Sequence, residues 1–413
     1  MGFHTDLPQF PWDTLREARD LAAAHPGGLI DLSVGTPVDP TPPIVTAELS
    51  HGADAPGYPT THGTVELRQA VVDWFTRVRG VVGLSTDAVL PTIGSKELVA
   101  LLPSLLGLGP QDAVVFPEVA YPTYEIGARL AGTQWATYSG SDTSTWPDNT
   151  RVVWVNSPSN PTGAVLSAVE LASIVHGARA RGAVVVSDEC YAVLPWEVDS
   201  VPSLLSPEVC DGDHRGLLVA YSLSKQSNLA GYRAAFLAGD DELIARLLEL
   251  RKHLGMMLPA PVQRAMTAAL HDDAHVAEQR ERYRARRETL RAAVLGAGHG
   301  IGQGSGLVVD HSEAGLYLWV RDRYAAGASL AASAQGSSTQ GSSTKGSSTQ
   351  GGSARGLSIQ GRDTLGWELM LDFARRGILV APGSFYGAAG ERHIRVALTA
   401  PDAAIAQVAA RLS

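Results

Sequence analysis

The sequence predicts an α/β protein built on a mostly parallel sheet, and three observations carry that expectation. Between residues 90 and 240 short apolar runs alternate with helical patterns, the order that parallel strands with crossover helices require. The runs are nearly continuous in Val, Leu and Ala, as in strands covered on both faces. Polar residues follow the runs directly, so they collect at the carboxyl edge of the sheet, where open α/β proteins build their sites.

Taken in order, the candidate strands are 113–116, 152–156, 183–187, 216–221 and 234–238. Ahead of the first, Leu98, Leu101, Leu102, Leu105 and Leu106 mark one face of a helix that starts after Ser95, and Pro103 should kink or shorten it. Residues 278–291, EQRERYRARRETLR, carry six Arg and three Glu. Glu and Arg interleave at helical spacing there, as at Arg284 and Glu288, which predicts a solvated surface helix in preference to a nucleic-acid patch. From Gly336 the chain reads GSSTQ-GSSTK-GSSTQ-GGSARG, a run with no apolar side chain before Ala354. Such a run cannot bury enough surface to offset its ordering entropy, and is expected to be a flexible surface insertion.

Composition removes several classes. The chain has 413 residues, 33 basic and 42 acidic, for a net charge of −9, with 45% hydrophobic and only 18% charged residues. That balance describes a globular protein with ample core and argues against disorder or a nucleic-acid coat. No apolar run approaches the roughly 18 residues of a membrane helix, and the amino-terminal residues lack both a signal pattern and a myristoylation pattern. Cys190 and Cys210 are too few for a disulfide framework or a zinc site and read as reduced thiols in a cytoplasmic protein, with no metal expected.

The chemistry is concentrated in YSLSKQSNLAGYRAAF, residues 221–236. An apolar strand delivers Ser222, Ser224 and Lys225 to its carboxyl end, and Arg233 follows eight residues after the lysine. Hydroxyls, a lysine and an arginine on one short loop suit a phosphorylated carbonyl cofactor: the amine can form an imine with an aldehyde while Ser and Arg hold phosphate. Lys225 could instead be an ordinary loop lysine. However, the chain uses 29 Arg and only four Lys (Lys96, Lys225, Lys252 and Lys345), and guanidinium cannot serve as a Schiff-base amine. Asp188 ends the 183–187 run, where it reads as a turn former or as the carboxylate that keeps a pyridine nitrogen protonated. Asn160 in NPTG reads as part of a Pro-Gly turn or as an amide donor to a phenolate oxygen. Gly94, Ser95 and Lys96 open a helix, as a plain cap or as a phosphate-binding amino terminus.

Together these residues resemble the fold-type I aminotransferases, pyridoxal phosphate enzymes of the aspartate aminotransferase-like class. The resemblance implies a large domain with a mostly parallel seven-stranded sheet at 51–275. It also implies a small α+β domain assembled from 1–50 and 276–413, interrupted by the low-complexity insert at about 330–360. It makes Lys225 the Schiff-base lysine, Asp188 the partner of the pyridine nitrogen, and Tyr191 and Asn160 the partners of the ring phenolate. Arg233, Ser222, Ser224 and the Gly94-Ser95-Lys96 turn would hold phosphate, and Tyr121 in AYPTY would stack on the ring. Gly35 in SVGTP would lie beside the substrate carboxylate, and Arg395 in HIRVALT would bind it. Tyr58 would reach the phosphate of a neighbouring subunit, implying a homodimer with shared active sites.

The segments FPWDTL, DLSVGTPVDPTPP, RKHLGMMLPAPVQ and GILVAPGSFYG are more specifically similar to actinobacterial succinyldiaminopimelate aminotransferases of lysine biosynthesis. The resemblance then implies amino exchange between glutamate and N-succinyl-2-amino-6-oxopimelate. Arg251 and Lys252 read as cations of a helix end that favour its dipole, or as candidate cations for the substrate's additional carboxylates. Competing expectations are another aminotransferase of this class acting on aspartate, alanine or an N-acylated ornithine, a carbon–sulfur lyase on the same scaffold, and a pyridoxal-phosphate-sensing regulator.

Overall fold

The computed structural model describes residues 7–297, 306–323 and 364–413; the low-complexity insert lies outside the described residues. Helix α1 (Arg16–Ala23) leads to β1 (Ile30–Asp31), α2 (Pro43–His51) and α3 (Val65–Arg79). Thr64 caps α3 by accepting from the Leu67 N–H, and Gly80 at φ +66° ends it. Then come β2 (Val89–Ile93), α4 (Ser95–Leu105), β3 (Ala113–Pro117), α5 (Thr123–Ala131), β4 (Gln134–Tyr138) and β5 (Thr150–Asn156). Next are α6 (Ala168–Arg179), β6 (Val184–Asp188), the short α7 (Pro207–Cys210), β7 (Leu217–Ser222) and β8 (Ala234–Gly239). Helices α8 (Asp241–Leu254), α9 (Ala260–His271) and α10 (Asp273–Gly296) follow, then β9 (Leu307–Asp310) and β10 (Tyr317–Asp322). The chain closes with α11 (Leu365–Arg375), β11 (Ile378–Leu379), β12 (Ala381–Pro382), β13 (His393–Ala397) and α12 (Asp402–Leu412).

Seven strands form one sheet in the order β2-β8-β7-β6-β5-β3-β4. All of its pairings are parallel except those of β8, which runs antiparallel to β2 and β7. The five strands expected from apolar runs are present, each shifted or extended by a residue or two. Alternate residues of these strands pack into separate apolar clusters, Val153, Val185 and Val219 in one, Trp154, Val186 and Leu218 in the other. Burial of both faces is why the strands read as unbroken apolar runs. Edge strand β4, QWATY, is half exposed and carries no such signal.

Helix α4 runs through Pro103 and ends two residues later. Proline lacks the N–H that Val99 O would accept. The neighbouring α5 presents Gly127 there, where a Cβ would come within 2.8 Å of that carbonyl oxygen. The two helices can therefore pack closely at the proline.

A second sheet, β12-β13-β10-β9, is antiparallel and places Arg395 of β13 opposite Trp319 and Ala381. A parallel pair, β1-β11, joins the two ends of the chain. Helix α10 corrects the surface-helix expectation: Gln279, Tyr283, Arg286, Arg287 and Leu290 are buried along one face. The buried arginines are paired, Arg286 with Asp39 and Asp402, Arg287 with Glu197 and Ser312. Among the described residues no helix is long and apolar enough to cross a membrane.

Candidate active site

Parallel strands β5, β6 and β7 end side by side, with Asn156 opposite Asp188 and Asp188 opposite Ala220. The Asn156 amide donates to the carbonyls of Asp188 (2.9 Å) and Pro158 (3.1 Å), while its oxygen accepts from Asn160 N–H at 2.7 Å. This one side chain therefore ties the NPTG loop to the strand that carries Asp188. The Asp188 carboxylate accepts from the Cys190 N–H and the Tyr124 hydroxyl, each at 3.2 Å. Burial raises its pKa, and among the described residues it has no cationic partner. Such a group is stabilised as an anion when a protonated ring nitrogen is brought to it.

Strand β7 ends in Ser222, whose hydroxyl lies 2.7 Å from that of Ser224. Lys225 follows, and its ammonium donates to the Gly35 carbonyl. Burial lowers the Lys225 pKa; Tyr317 and Cys190 pull the other way. Antiparallel pairing of β8 with β2 and β7 brings Ser222, Arg233 and Gly94 to one corner. Gly94, at φ +76°, donates its N–H to the Arg233 carbonyl at 2.8 Å, and a Cβ there would overlap the Arg233 guanidinium. The amino terminus of α4, with Ser95 in its first turn, opens directly beside that guanidinium. Arg233 has no carboxylate partner among the described residues, so the corner is a cationic cradle suited to a phosphate.

Across the site, Arg395 is buried without a carboxylate. Its Nη1 donates to Asn160 Oδ1 (2.9 Å) and its Nη2 to Ser33 O (2.7 Å), and the guanidinium lies 3.9 Å from the Tyr317 ring centroid. Its Nε has no partner among the described residues. A buried cation held only by neutral groups is a receptor for a carboxylate. The bond from Arg395 occupies Asn160 Oδ1 and leaves the amide nitrogen to donate. Tyr191 and Tyr317 bring their hydroxyls within 3.2 Å, and a Cβ on Gly35 would overlap the Tyr317 hydroxyl. Tyr121 packs edge-on against Tyr124 with 5.9 Å between centroids; burial pushes its phenol up to about 12.

The structure therefore brings Gly35, Asn160, Asp188, Tyr191, Lys225 and Arg395 together, with Gly94, Ser95, Ser222, Ser224 and Arg233 at the adjoining corner. Lys96 follows in the same turn with its ammonium over the Phe10 ring, 4.9 Å from the centroid, and burial, then the Arg233 charge, lower its pKa. Tyr58 is 94% exposed and meets none of these residues within one chain. Arg251 and Lys252 do not line the site as cations awaiting substrate. Arg251 is fully buried against Glu97 (3.0 Å), and Lys252 pairs with Glu249 on the surface (3.0 Å). Sequence reading missed Tyr317, Asn156 and Ser33. Asn156 carried a weak signal as the polar end of an apolar strand, and Tyr317 in GLYLW is indistinguishable from a core aromatic.

The family model for aminotransferase class I and II matches residues 28–412. The chain belongs to this family. Its cofactor is accordingly pyridoxal 5′-phosphate, and the cradle at Gly94 and Arg233 and the buried Asp188 fit that group. The aminotransferase is 50% identical, over all of its length and 87% of the relative's, to a probable aminotransferase of Mycobacterium tuberculosis. It is 47% identical, over 99% of both chains, to the 4-dedimethylamino-4-oxo-anhydrotetracycline transaminase OxyQ of Streptomyces rimosus. Among solved structures it is similar to a probable N-succinyldiaminopimelate aminotransferase from Thermus thermophilus. That match has a TM-score of 0.77 and 26% identity, covering 98% of this chain and 99% of the other.

Proposed function

We propose that this aminotransferase exchanges an amino group between glutamate and N-succinyl-2-amino-6-oxopimelate in lysine biosynthesis. The observation that carries the transfer chemistry is the pairing of a buried, carboxylate-free Arg395 with a desolvated Lys225 on one backbone strap, through Ser33 and Gly35. The succinylated substrate is supported by the sequence resemblance and by the Thermus relative.

Bound pyridoxal phosphate supplies an aldehyde to receive the amino group and a ring that withdraws electrons from the reacting carbon. Lys225 would hold that aldehyde carbon, and its free amine would take the substrate α-proton on Nζ as general base. Its depressed pKa leaves the neutral, basic form available closer to neutral pH. Asp188 would keep the pyridine nitrogen protonated, and Tyr191 and the Asn160 amide would donate to the ring oxygen. Arg233, Ser222, Ser224 and the Gly94-Ser95-Lys96 turn would hold phosphate, and Tyr121 would pack against the ring. Arg395 would grip the substrate α-carboxylate beside Gly35, whose missing side chain makes room for the Tyr317 hydroxyl. Exposed Tyr58 serves the phosphate of a second copy's site in a homodimer.

The relative OxyQ favours one further reading, a polycyclic ketone as amino acceptor. Purified protein assayed with glutamate against a panel of keto acids, the succinylated one and an oxo-anhydrotetracycline included, separates the two. The succinylated acid is expected to give the highest kcat/KM. Preference for the polycyclic ketone, or activity confined to aspartate and oxaloacetate, would overturn the lysine-pathway reading.

A further inference from the structure

The segment between β1 and α2 crosses the site as a strap. Its carbonyls accept from the cations proposed for catalysis: Ser33 O from Arg395, Gly35 O from Lys225, with Val34 O taking the Thr399 hydroxyl at 3.0 Å. Leu32 anchors the start of the strap in the core, but beyond it apolar anchorage is slight, since Val34 and Val38 are 42% and 45% exposed. Beyond Leu32 its position therefore depends on polar ties. At its start Asp31 accepts from the Ser33 N–H at 2.9 Å. At its far end Asp39 accepts from both terminal nitrogens of Arg286 (2.6 and 2.8 Å) and from the Gln279 amide (2.8 Å).

The same face of α10 continues to the lysine loop. Gln279 Oε1 accepts from the Asn228 amide at 2.9 Å, and that amide also donates to Pro40 O at 3.1 Å. Asn228 lies three residues beyond Lys225. The Tyr283 hydroxyl, between Gln279 and Arg286 on α10, reaches the Lys225 carbonyl at 3.5 Å. One helix face thus fixes both the strap and the loop that must face each other. Burial alone would raise the Asp39 carboxyl; Arg286 and Gln279 hold it below the usual carboxylate range, so the pair is charged at neutral pH. A bidentate Arg–carboxylate bond also sets direction, which a lysine could not do.

We propose that Asp39 is a positioning residue: its fork with Arg286 latches the strap to α10 and sets the geometry in which Arg395 receives the substrate carboxylate. The proposal rests on the amino-transfer reading for what the strap positions. Its test compares Asp39→Asn, Arg286→Lys and the control Asp402→Asn in the pyridoxal-phosphate-loaded protein. Asp402 also bonds Arg286, at 2.6 Å, but does not touch the strap.

Asp39→Asn is expected to raise KM for glutamate about tenfold with kcat changed less than about threefold, as for lost binding that is uniform between ground and transition states. It should keep the cofactor's visible absorbance and speed amide hydrogen exchange across 33–41. Arg286→Lys should fall between it and wild type, and Asp402→Asn should match wild type. An unchanged KM with unchanged exchange in Asp39→Asn would overturn the latch, as would equal effects in Asp402→Asn. Hydrogen exchange needs no turnover, so it decides the latch even if glutamate proves not to be a substrate. Should Asp39→Asn fail to fold, Arg286→Lys carries the same comparison.

Discussion

Lysine in this protein is scarce enough that each described one has a distinct place. Lys225 is enclosed in the site, Lys96 covers Phe10, and Lys252 pairs with Glu249 at the surface. Enclosure penalises the Lys225 cation, so its neutral amine appears at lower pH than that of a free lysine. In cofactor-free protein, modification of Lys225 by an amine reagent, read peptide by peptide, should be half-maximal below about pH 10.4. A midpoint at or above that value would contradict the desolvated amine. At this scale Lys225 and Asp188 were open to sequence reading because each follows an apolar strand in a short motif, whereas Arg395 was expected from the family resemblance alone; the structure brings the three to one site. Arg251 lies in the last turn of α8, as its helix-end reading has it, but its burial was not legible because its carboxylate, Glu97, lies 154 residues away in the chain. Tyr317 was missed because no local pattern separates an aromatic that supports a guanidinium from one that fills a core.

The junction of β2 and α4 shows how an element makes a site. Gly94 occupies a backbone region that a side chain strains, and the space for a Cβ is filled by Arg233. Such strain costs on the order of 1–3 kcal/mol. Gly94→Ala should therefore weaken pyridoxal phosphate binding at least tenfold in a spectroscopic titration while the protein still folds, and an unchanged dissociation constant would remove the cradle from the account. The doubly covered strands were legible because burial on both faces leaves an unbroken apolar run. Helix α10 was not, because charges on its inner face are neutralised by Asp39 and Glu197, residues remote in sequence. Charge periodicity reports a solvated face only when the partners are local.

Across the whole molecule, the site draws on residues from 33 to 395, so no segment carries the activity by itself. Ser33 and Gly35 come from the strap, Gly94 and Ser95 from the start of α4, Asn160, Asp188 and Lys225 from strand ends or the loops after them, and Arg395 from the middle of β13. The seven-stranded sheet with its one antiparallel strand aligns those ends, and the antiparallel sheet hangs Arg395 over them. The fold was legible because its signal is spread over many strands. The division at 51 and 275 stands as a proposal, and the GSSTQ insert lies outside the described residues.

The central claim is that Lys225 carries out amino transfer within this assembled site. The most direct measurement gives pyridoxal-phosphate-loaded protein glutamate with no keto acid and follows visible absorbance and released 2-oxoglutarate in a single turnover. Wild type should lose its visible band and release 2-oxoglutarate in proportion to its sites, without ammonia, while Lys225→Ala should do neither. Release at the wild-type rate by Lys225→Ala, or continuous release of ammonia by wild type, would contradict the account.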